Sequence, residues 1–384
     1  MLLLIVLVLP LLLPHPTLAA RGSAGCGGSA PAATTGSTFG GTFEFGDVER
    51  TYSAFVPSTY DPASPLPLVM SFHGWGGTSL EDSCDSGLTA VAANTGAFMV
   101  VHPQGLSDYE SDNPSEWGSW HFNGTCQNGG ASCNTNKSPN RYCYESNADC
   151  QGCDWTTCAD DTAFLSALYD HFEATLCVDL DMMYATGMSN GGMMAYQMGA
   201  SLAHRLAGIA PTAGSLHWNA LVEPEAPIPV FAVTGRRDAT VPGNASGSNA
   251  YSSDGTWRYY TMDGLAEAWG DAQECDGVEA PYPTSFDGVA DLWCKTKCSN
   301  IDHVLCSWNG GHNYYTGPGM NYEYSCTPEN ADETYYSHGE LVWEFFSRQS
   351  LGRSSKGSEA PVAVAGATAA GAAVWASLLA LMLE

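Results

Sequence analysis

Basic residues are scarce in this chain of 384 residues: 13 Lys and Arg stand against 41 Asp and Glu, a formal charge of −28. A polyanion would be repelled rather than gathered, which excludes nucleic acid as a partner. Residues 1–20 contain no Lys or Arg at all. No internal repeat is visible, so the chain is expected to fold as one domain rather than as an array. Hydrophobic residues make up 44% of the composition, enough for a substantial core.

The two ends differ from the middle. Residues 1–13 are almost all Leu, Ile and Val, and small residues follow at Ala19 and Ala20, so residues 1–19 read as a secretory signal peptide. The apolar run is short and broken by Pro10, which argues against a retained membrane anchor. Residues 20–41 are rich in Gly, Ser, Ala and Thr without an apolar period and are expected to be a flexible linker. The folded domain is expected over 42–349. Residues 350–384 combine a polar spacer with an Ala, Val and Leu tail. Only Glu384 follows the tail, so the basic residues of a stop-transfer segment are missing, and the pattern fits a GPI-attachment signal better than a membrane anchor. The expected location is secreted or extracellular, with membrane attachment only through that tail.

The 14 cysteines agree with export. Cys150-x2-Cys153-x4-Cys158 and Cys294-x3-Cys298 have zinc-like spacing, but an even, high count behind a signal favours a disulfide framework, and no metal is expected. Asn123, Asn136 and Asn244 begin glycosylation acceptor patterns.

Between the ends, apolar runs alternate with helix-like stretches. Runs at 50–57, 67–74, 97–105, 182–187, 206–214 and 228–235 read as strands buried on both faces, which predicts a mostly parallel sheet. Phe164, Leu165, Leu168, Tyr169 and Phe172 recur at helical spacing after Asp160 and Asp161, either of which is placed to cap the helix start. Leu341, Val342, Phe345 and Phe346 form a similar closing helix. The fold class is α/β, a sheet flanked by helices. Residues 117–158 interrupt the rhythm with Cys, Asn, Gly and Ser and read as a Cys-rich, disulfide-pinned loop insertion.

The chemistry centres on Gly187-Met188-Ser189-Asn190-Gly191. A strand-like run precedes it and a glycine-rich helix start follows, the context a nucleophile elbow needs because small neighbours let the serine take a strained backbone. A serine hydroxyl needs a base, and the base an orienting acid. Asp238 follows a strand end and His312 lies in a glycine-rich loop, in the order Ser, Asp, His. His303 and His338 are rival bases, and Asp160 and Asp161 rival acids. The loop Ser71–Gly77 follows a strand, and the backbone N–H groups of Trp75 and Asn190 are the candidate oxyanion donors.

The blocks "PLPLVMSFHGWGG", "VVHPQG", "VDLDMMYATGMSNGGMMAY", "LAGIAPTAG", "TGRRDATVP" and "GGHNYY" occur in the order seen in secreted serine esterases. Over about Phe45 to Phe346 the chain resembles the feruloyl esterase and polyhydroxybutyrate depolymerase family. The resemblance implies an α/β-hydrolase fold, Ser189 as nucleophile, Asp238 as acid, His312 as base, Trp75 in the oxyanion loop and no cofactor. Met188 and Asn190 flank the serine where tannase-like relatives carry cysteines, which disfavours that subtype.

Trp75, Trp117, Trp120, Trp308, Tyr314 and Tyr315 are candidates for an acyl pocket, with Trp75 and Trp308 favoured as substrate-binding residues by their places beside the motifs. The expected activity is hydrolysis of feruloyl or acetyl esters on cell-wall polysaccharide. No polymer-binding module follows the domain, so depolymerisation of a solid polyester such as polyhydroxybutyrate ranks second. A non-catalytic recognition protein and a peptidase on the same fold are further alternatives.

Overall fold

The computed structural model describes residues 20–28, 35–107, 118–122, 159–286, 291–317 and 336–351. Chain contacts separate a unit spanning Met1–Arg353 from Ser354–Glu384, and every described residue lies in the first. The central strands are apolar runs with cover on both faces, whereas the edge strands are partly exposed. In chain order these are β1 (Thr38–Phe45), β2 (Val48–Phe55), β3 (Leu66–Phe72), β4 (Met99–Pro103), β5 (Val178–Met188), β6 (Gly208–Thr212), β7 (Val230–Gly235), β8 (Ala280–Pro281), β9 (Leu292–Thr296) and β10 (His303–Trp308). They make one ten-stranded sheet in the order β1-β2-β4-β3-β5-β6-β7-β10-β9-β8. From β4 through β10 neighbouring strands run parallel; β1 and β2 at one edge, and β9 and β8 at the other, pair antiparallel.

Six helices accompany the sheet: α1 (Ser79–Asp85), α2 (Leu88–Thr95), α3 (Asp161–Thr175), α4 (Asn190–Ser201), α5 (Met262–Ala272) and α6 (Tyr336–Phe346). One apolar cluster holds Phe164 and Leu168 of α3, Met194 of α4 and Trp269 of α5. The other holds Leu88 and Val91 of α2 with Leu341 and Phe345 of α6. The sheet therefore has helices on both faces and two cores, the layering of α/β folds. Asp160 caps α3 by accepting from the Ala163 N–H at 3.0 Å. Asp161 does something else: it is buried, pairs with Arg50 at 2.8 Å and accepts from the His121 N–H at 2.8 Å.

The segment expected to be a linker is tied down where it is described. Ser23 N–H donates to the Val178 carbonyl at 2.9 Å, Cys26 is disulfide-bonded to Cys177, and β1 begins at Thr38. Composition reports local propensity, whereas a covalent bond and an antiparallel partner are supplied from elsewhere in the chain. Cys294 and Cys298, the pair with zinc-like spacing, enter different disulfides, Cys294–Cys306 and Cys275–Cys298. Asn244 is exposed in a turn. Residues 1–19, expected as a signal peptide, the expected tail from residue 352, Trp117, Asn123, Asn136, Cys150, Cys153 and Cys158 lie outside the described residues. Among the described residues, no helix is long and apolar enough to cross a membrane.

A mostly parallel sheet with helices on both faces, and a serine delivered between the end of β5 and the start of α4, is the α/β-hydrolase arrangement expected from the sequence.

Candidate active site

Ser189 is the single residue between β5 and α4, and its backbone sits at φ 57°, ψ −118°. That region costs a residue with a Cβ on the order of 1–3 kcal/mol and persists only where the surroundings enforce it. Here they do. The Ser189 N–H donates to the Thr212 carbonyl at 2.9 Å, and the Met193 N–H donates to the Ser189 carbonyl at 2.9 Å. Two glycines let β3, β5 and α4 meet backbone to backbone. A Cβ on Gly191 would lie 2.0 Å from the Phe72 carbonyl oxygen, and one on Gly187 would lie 2.6 Å from both the Phe72 and Gly191 oxygens.

Parallel strands bring their C-terminal ends to one edge of the sheet, so residues distant in sequence converge there. Asp238 follows β7 and His312 follows β10, which pair in register from His303 with Val230 to Trp308 with Gly235. His312 Nε2 lies 2.8 Å from Ser189 Oγ, and His312 Nδ1 lies 2.7 Å from Asp238 Oδ2. The other carboxylate oxygen of Asp238 accepts from the Thr240 and Val241 N–H groups, each at 2.9 Å. These bonds fix which oxygen faces the imidazole. A carboxylate only accepts, so Nδ1 carries the ring proton and Nε2 is left to accept from the serine hydroxyl.

The rival histidines are elsewhere. His303 opens β10 and His338 lies on α6; burial lowers them to about 4 and about 3. His338 Nε2 lies 3.4 Å from Thr212 Oγ1 rather than against the serine.

The candidate oxyanion loop adjoins the serine: a Cβ on Gly74 would be 3.6 Å from Ser189 Cβ. His73 holds this loop from inside. Its Nε2 accepts from the Gly105 N–H at 2.9 Å, so its Nδ1–H donates to the Gly74 carbonyl at 2.7 Å. Burial lowers the His73 pKa, which keeps the ring neutral in that role. Trp75 is 37% exposed beside it. Asn190 is the first residue of α4, where a backbone N–H has no partner within the helix.

The Asn190 side chain has a use the motif does not reveal. Its Oδ1 accepts from the Trp120 N–H at 2.7 Å and its Nδ2 donates to the Trp120 carbonyl at 3.0 Å. Trp120, expected as a pocket aromatic, is fully buried and donates its indole N–H to the His73 carbonyl at 2.9 Å. Trp308, expected against substrate, is 4% exposed and packs edge-on to Tyr315, with its ring beneath Gly310. Its indole supports the His312 loop from below, because β10 turns its terminal side chain into the second core. Tyr314 is also buried and bonds to Asp82. Only Trp75 of the described candidates stands open. Among the described residues no group of three or more His, Cys, Asp and Glu is arranged to hold a metal ion.

No family model matches the chain. It is 29% identical over 238 residues to NocK of Nocardia uniformis subsp. tsuyamanensis, a protein named as an esterase, covering 61% of this chain and 53% of that one. It is 24% identical over 243 residues to feruloyl esterase C of Emericella nidulans, covering 62% of this chain and 73% of that one. The bifunctional acetylxylan esterase/xylanase XynS20E of Neocallimastix patriciarum is 23% identical over 68% of this chain and 31% of its own length. The chain thus spans about half the length of the first of these relatives and about a third of the last. Among solved structures, an acetyl xylan esterase from Aspergillus awamori aligns with a TM-score of 0.47 at 13% identity, covering 72% of this chain and 94% of that one. An S-formylglutathione hydrolase from Agrobacterium tumefaciens aligns with a TM-score of 0.43 at 14% identity, covering 81% and 94%.

Proposed function

We propose that this chain is a serine carboxylic ester hydrolase acting outside the cell on feruloyl or acetyl esters of cell-wall polysaccharide. The observation that carries the reading is the continuous hydrogen-bonded chain from Ser189 Oγ through His312 to Asp238, built on a strained elbow. Similarity to proteins named as a feruloyl esterase and as an acetylxylan esterase/xylanase supports the substrate class. The paired cysteines support the location, since such bonds persist in oxidising compartments.

In this reading Ser189 Oγ attacks the ester carbonyl carbon while its proton passes to His312 Nε2. Asp238 holds the imidazole in the required tautomer and balances the charge it gains. The tetrahedral oxyanion is received by the N–H groups of Trp75 and Asn190, the latter at the positive end of α4. His312 then returns the proton to the leaving alcohol, and the acyl group remains on Ser189. A water molecule, giving its proton to the same base, attacks that acyl carbonyl, and His312 returns the proton to Ser189 Oγ as the bond to the acyl group breaks and the acid leaves.

The test is Ser189→Ala in the secreted, disulfide-intact protein, assayed with p-nitrophenyl acetate. Turnover is expected to fall by roughly 10³- to 10⁶-fold with folding unchanged. Near-normal turnover would remove the serine from the mechanism.

A further inference from the structure

Resting on that reading, the geometry points to Trp120 as a positioning residue that locks the two halves of the oxyanion hole to each other. The two donor N–H groups come from separate elements, Trp75 from the loop after β3 and Asn190 from the start of α4. Nothing in the local sequence fixes their spacing, and an oxyanion needs both donors near 2.7–3.1 Å.

Trp120 touches both elements through different atoms. Its backbone N–H and carbonyl are both taken by the Asn190 side chain, at 2.7 and 3.0 Å. Its indole N–H is given to the His73 carbonyl at 2.9 Å, two residues before Trp75. The ring packs against Phe72 and His73, with centroids 5.5 and 4.9 Å away. Asn190 acts here like a piece of neighbouring strand, offering one acceptor and one donor to a single peptide. Only an amide side chain does that: a carboxylate would meet the Trp120 carbonyl with like partial charge, and an apolar residue would strand both groups in a buried site.

The segment carrying Trp120 is fixed on either side. Gly118 accepts from the Gly76 N–H at 2.8 Å, inside the same oxyanion loop. His121 donates its N–H to Asp161 at 2.8 Å, and Asp161 is itself paired with Arg50 at 2.8 Å. Residues 118–122 therefore tie the oxyanion loop, the nucleophile helix and the start of α3 together. The sequence assigns them to an insertion; the structure assigns them to the catalytic frame.

Trp120→Phe keeps an aromatic ring and removes the bond to His73, while Asn190→Asp keeps size and removes the donor to the Trp120 carbonyl. Active sites in each folded variant are counted by stoichiometric release of p-nitrophenol from diethyl p-nitrophenyl phosphate, and kcat is expressed per titrated serine on p-nitrophenyl acetate. Both variants are expected to lose about tenfold or more in kcat, with KM within about twofold, and in Trp120→Phe, which adds no charge, the midpoint of the kcat pH profile stays unmoved. Unchanged kcat per titrated serine in both variants would overturn the proposal. So would a shifted pH midpoint in Trp120→Phe, which would place the damage at His312. Ser189→Ala separates the two claims: if it retains turnover the esterase reading fails, whereas full Ser189-dependent turnover in both variants defeats only the role of Trp120.

Discussion

Tyr314, two residues beyond His312, donates its hydroxyl to Asp82 on α1, 232 residues earlier in the chain. The other Asp82 oxygen lies 2.6 Å from His102 Nδ1, and His102 Nε2 lies 3.1 Å from Thr89 Oγ1. Burial pushes the Asp82 carboxyl upward, but hydrogen bonds from His102 and Tyr314 and the charge of His102 bring it below its ordinary value. The loop bearing His312 is thereby moored to a buried carboxylate on α1. Tyr314→Phe leaves that carboxylate short of a donor and is expected to cost about 1–3 kcal/mol, read as a lower urea midpoint at unchanged m. An unaltered midpoint would mean that the bond contributes nothing.

Asp238→Asn keeps the shape of the acid and reverses its hydrogen-bond logic toward His312 Nδ1. With the tautomer no longer fixed, kcat is expected to fall by about 10³- to 10⁴-fold, somewhat less than for Ser189→Ala. Steady-state kinetics on an activated ester measure this directly, and a loss below tenfold would contradict the orienting role.

Gly191→Ala places a Cβ 2.0 Å from the Phe72 carbonyl oxygen, a backbone atom with no room to retreat. The strand and helix must separate, so the expected result is a loss of several kcal/mol or failure to accumulate as folded protein. Ordinary secretion with normal activity would show that the β3–α4 contact is looser than described.

Buried histidines, His73 among them, lower stability as pH falls. Burial lowers His217, His303 and His338 from 6.5 to about 3, about 4 and about 3, with Lys297 adding to the effect on His303 and Asp82 opposing it on His338. Above pH 6.5 these rings are neutral in both folded and unfolded chains, and their contribution is complete. As pH falls below 6.5 the unfolded chain takes up protons that the folded one refuses, so each ring removes up to ~1.4 kcal/mol per pH unit until its folded pKa is reached. Asp161, raised by burial, acts in the opposite direction. Melting temperature is therefore expected to drop steadily from pH 6.5 to 4.5. His217→Phe, which keeps a ring against Trp257, Tyr259 and Phe122, should make that slope shallower. An equal slope in the variant would remove His217 from the account.

Among the described aromatics near Ser189, Trp75 in the candidate oxyanion loop is the exposed one, at 37%, and it carries the prediction on substrate. A planar feruloyl group can stack on an indole where a hydroxybutyryl chain cannot. kcat/KM for methyl ferulate is expected to exceed that for a hydroxybutyrate oligomer by about tenfold or more, roughly 1.4 kcal/mol of transition-state binding. A panel run on one enzyme preparation decides it, and preference for the oligomer would reverse the ordering.

The sequence by itself determined the sheet and the triad candidates. Strands buried on both faces are continuous apolar runs, an elbow needs glycines at fixed offsets, and an acid and base just past strand ends carry their own local signals. It missed β1, although Phe39, Phe43 and Phe45 face the core at alternate positions, because glycine and threonine around them read as linker. Tertiary structure alone decided which cysteines pair, that Asp160 caps while Asp161 takes Arg50, that Trp308 and Tyr314 turn inward, and that Asn190 reaches Trp120 across 70 residues. Those outcomes depend on which buried donors and acceptors find one another after the strands have paired. Local periodicity carries no record of partners so far apart along the chain.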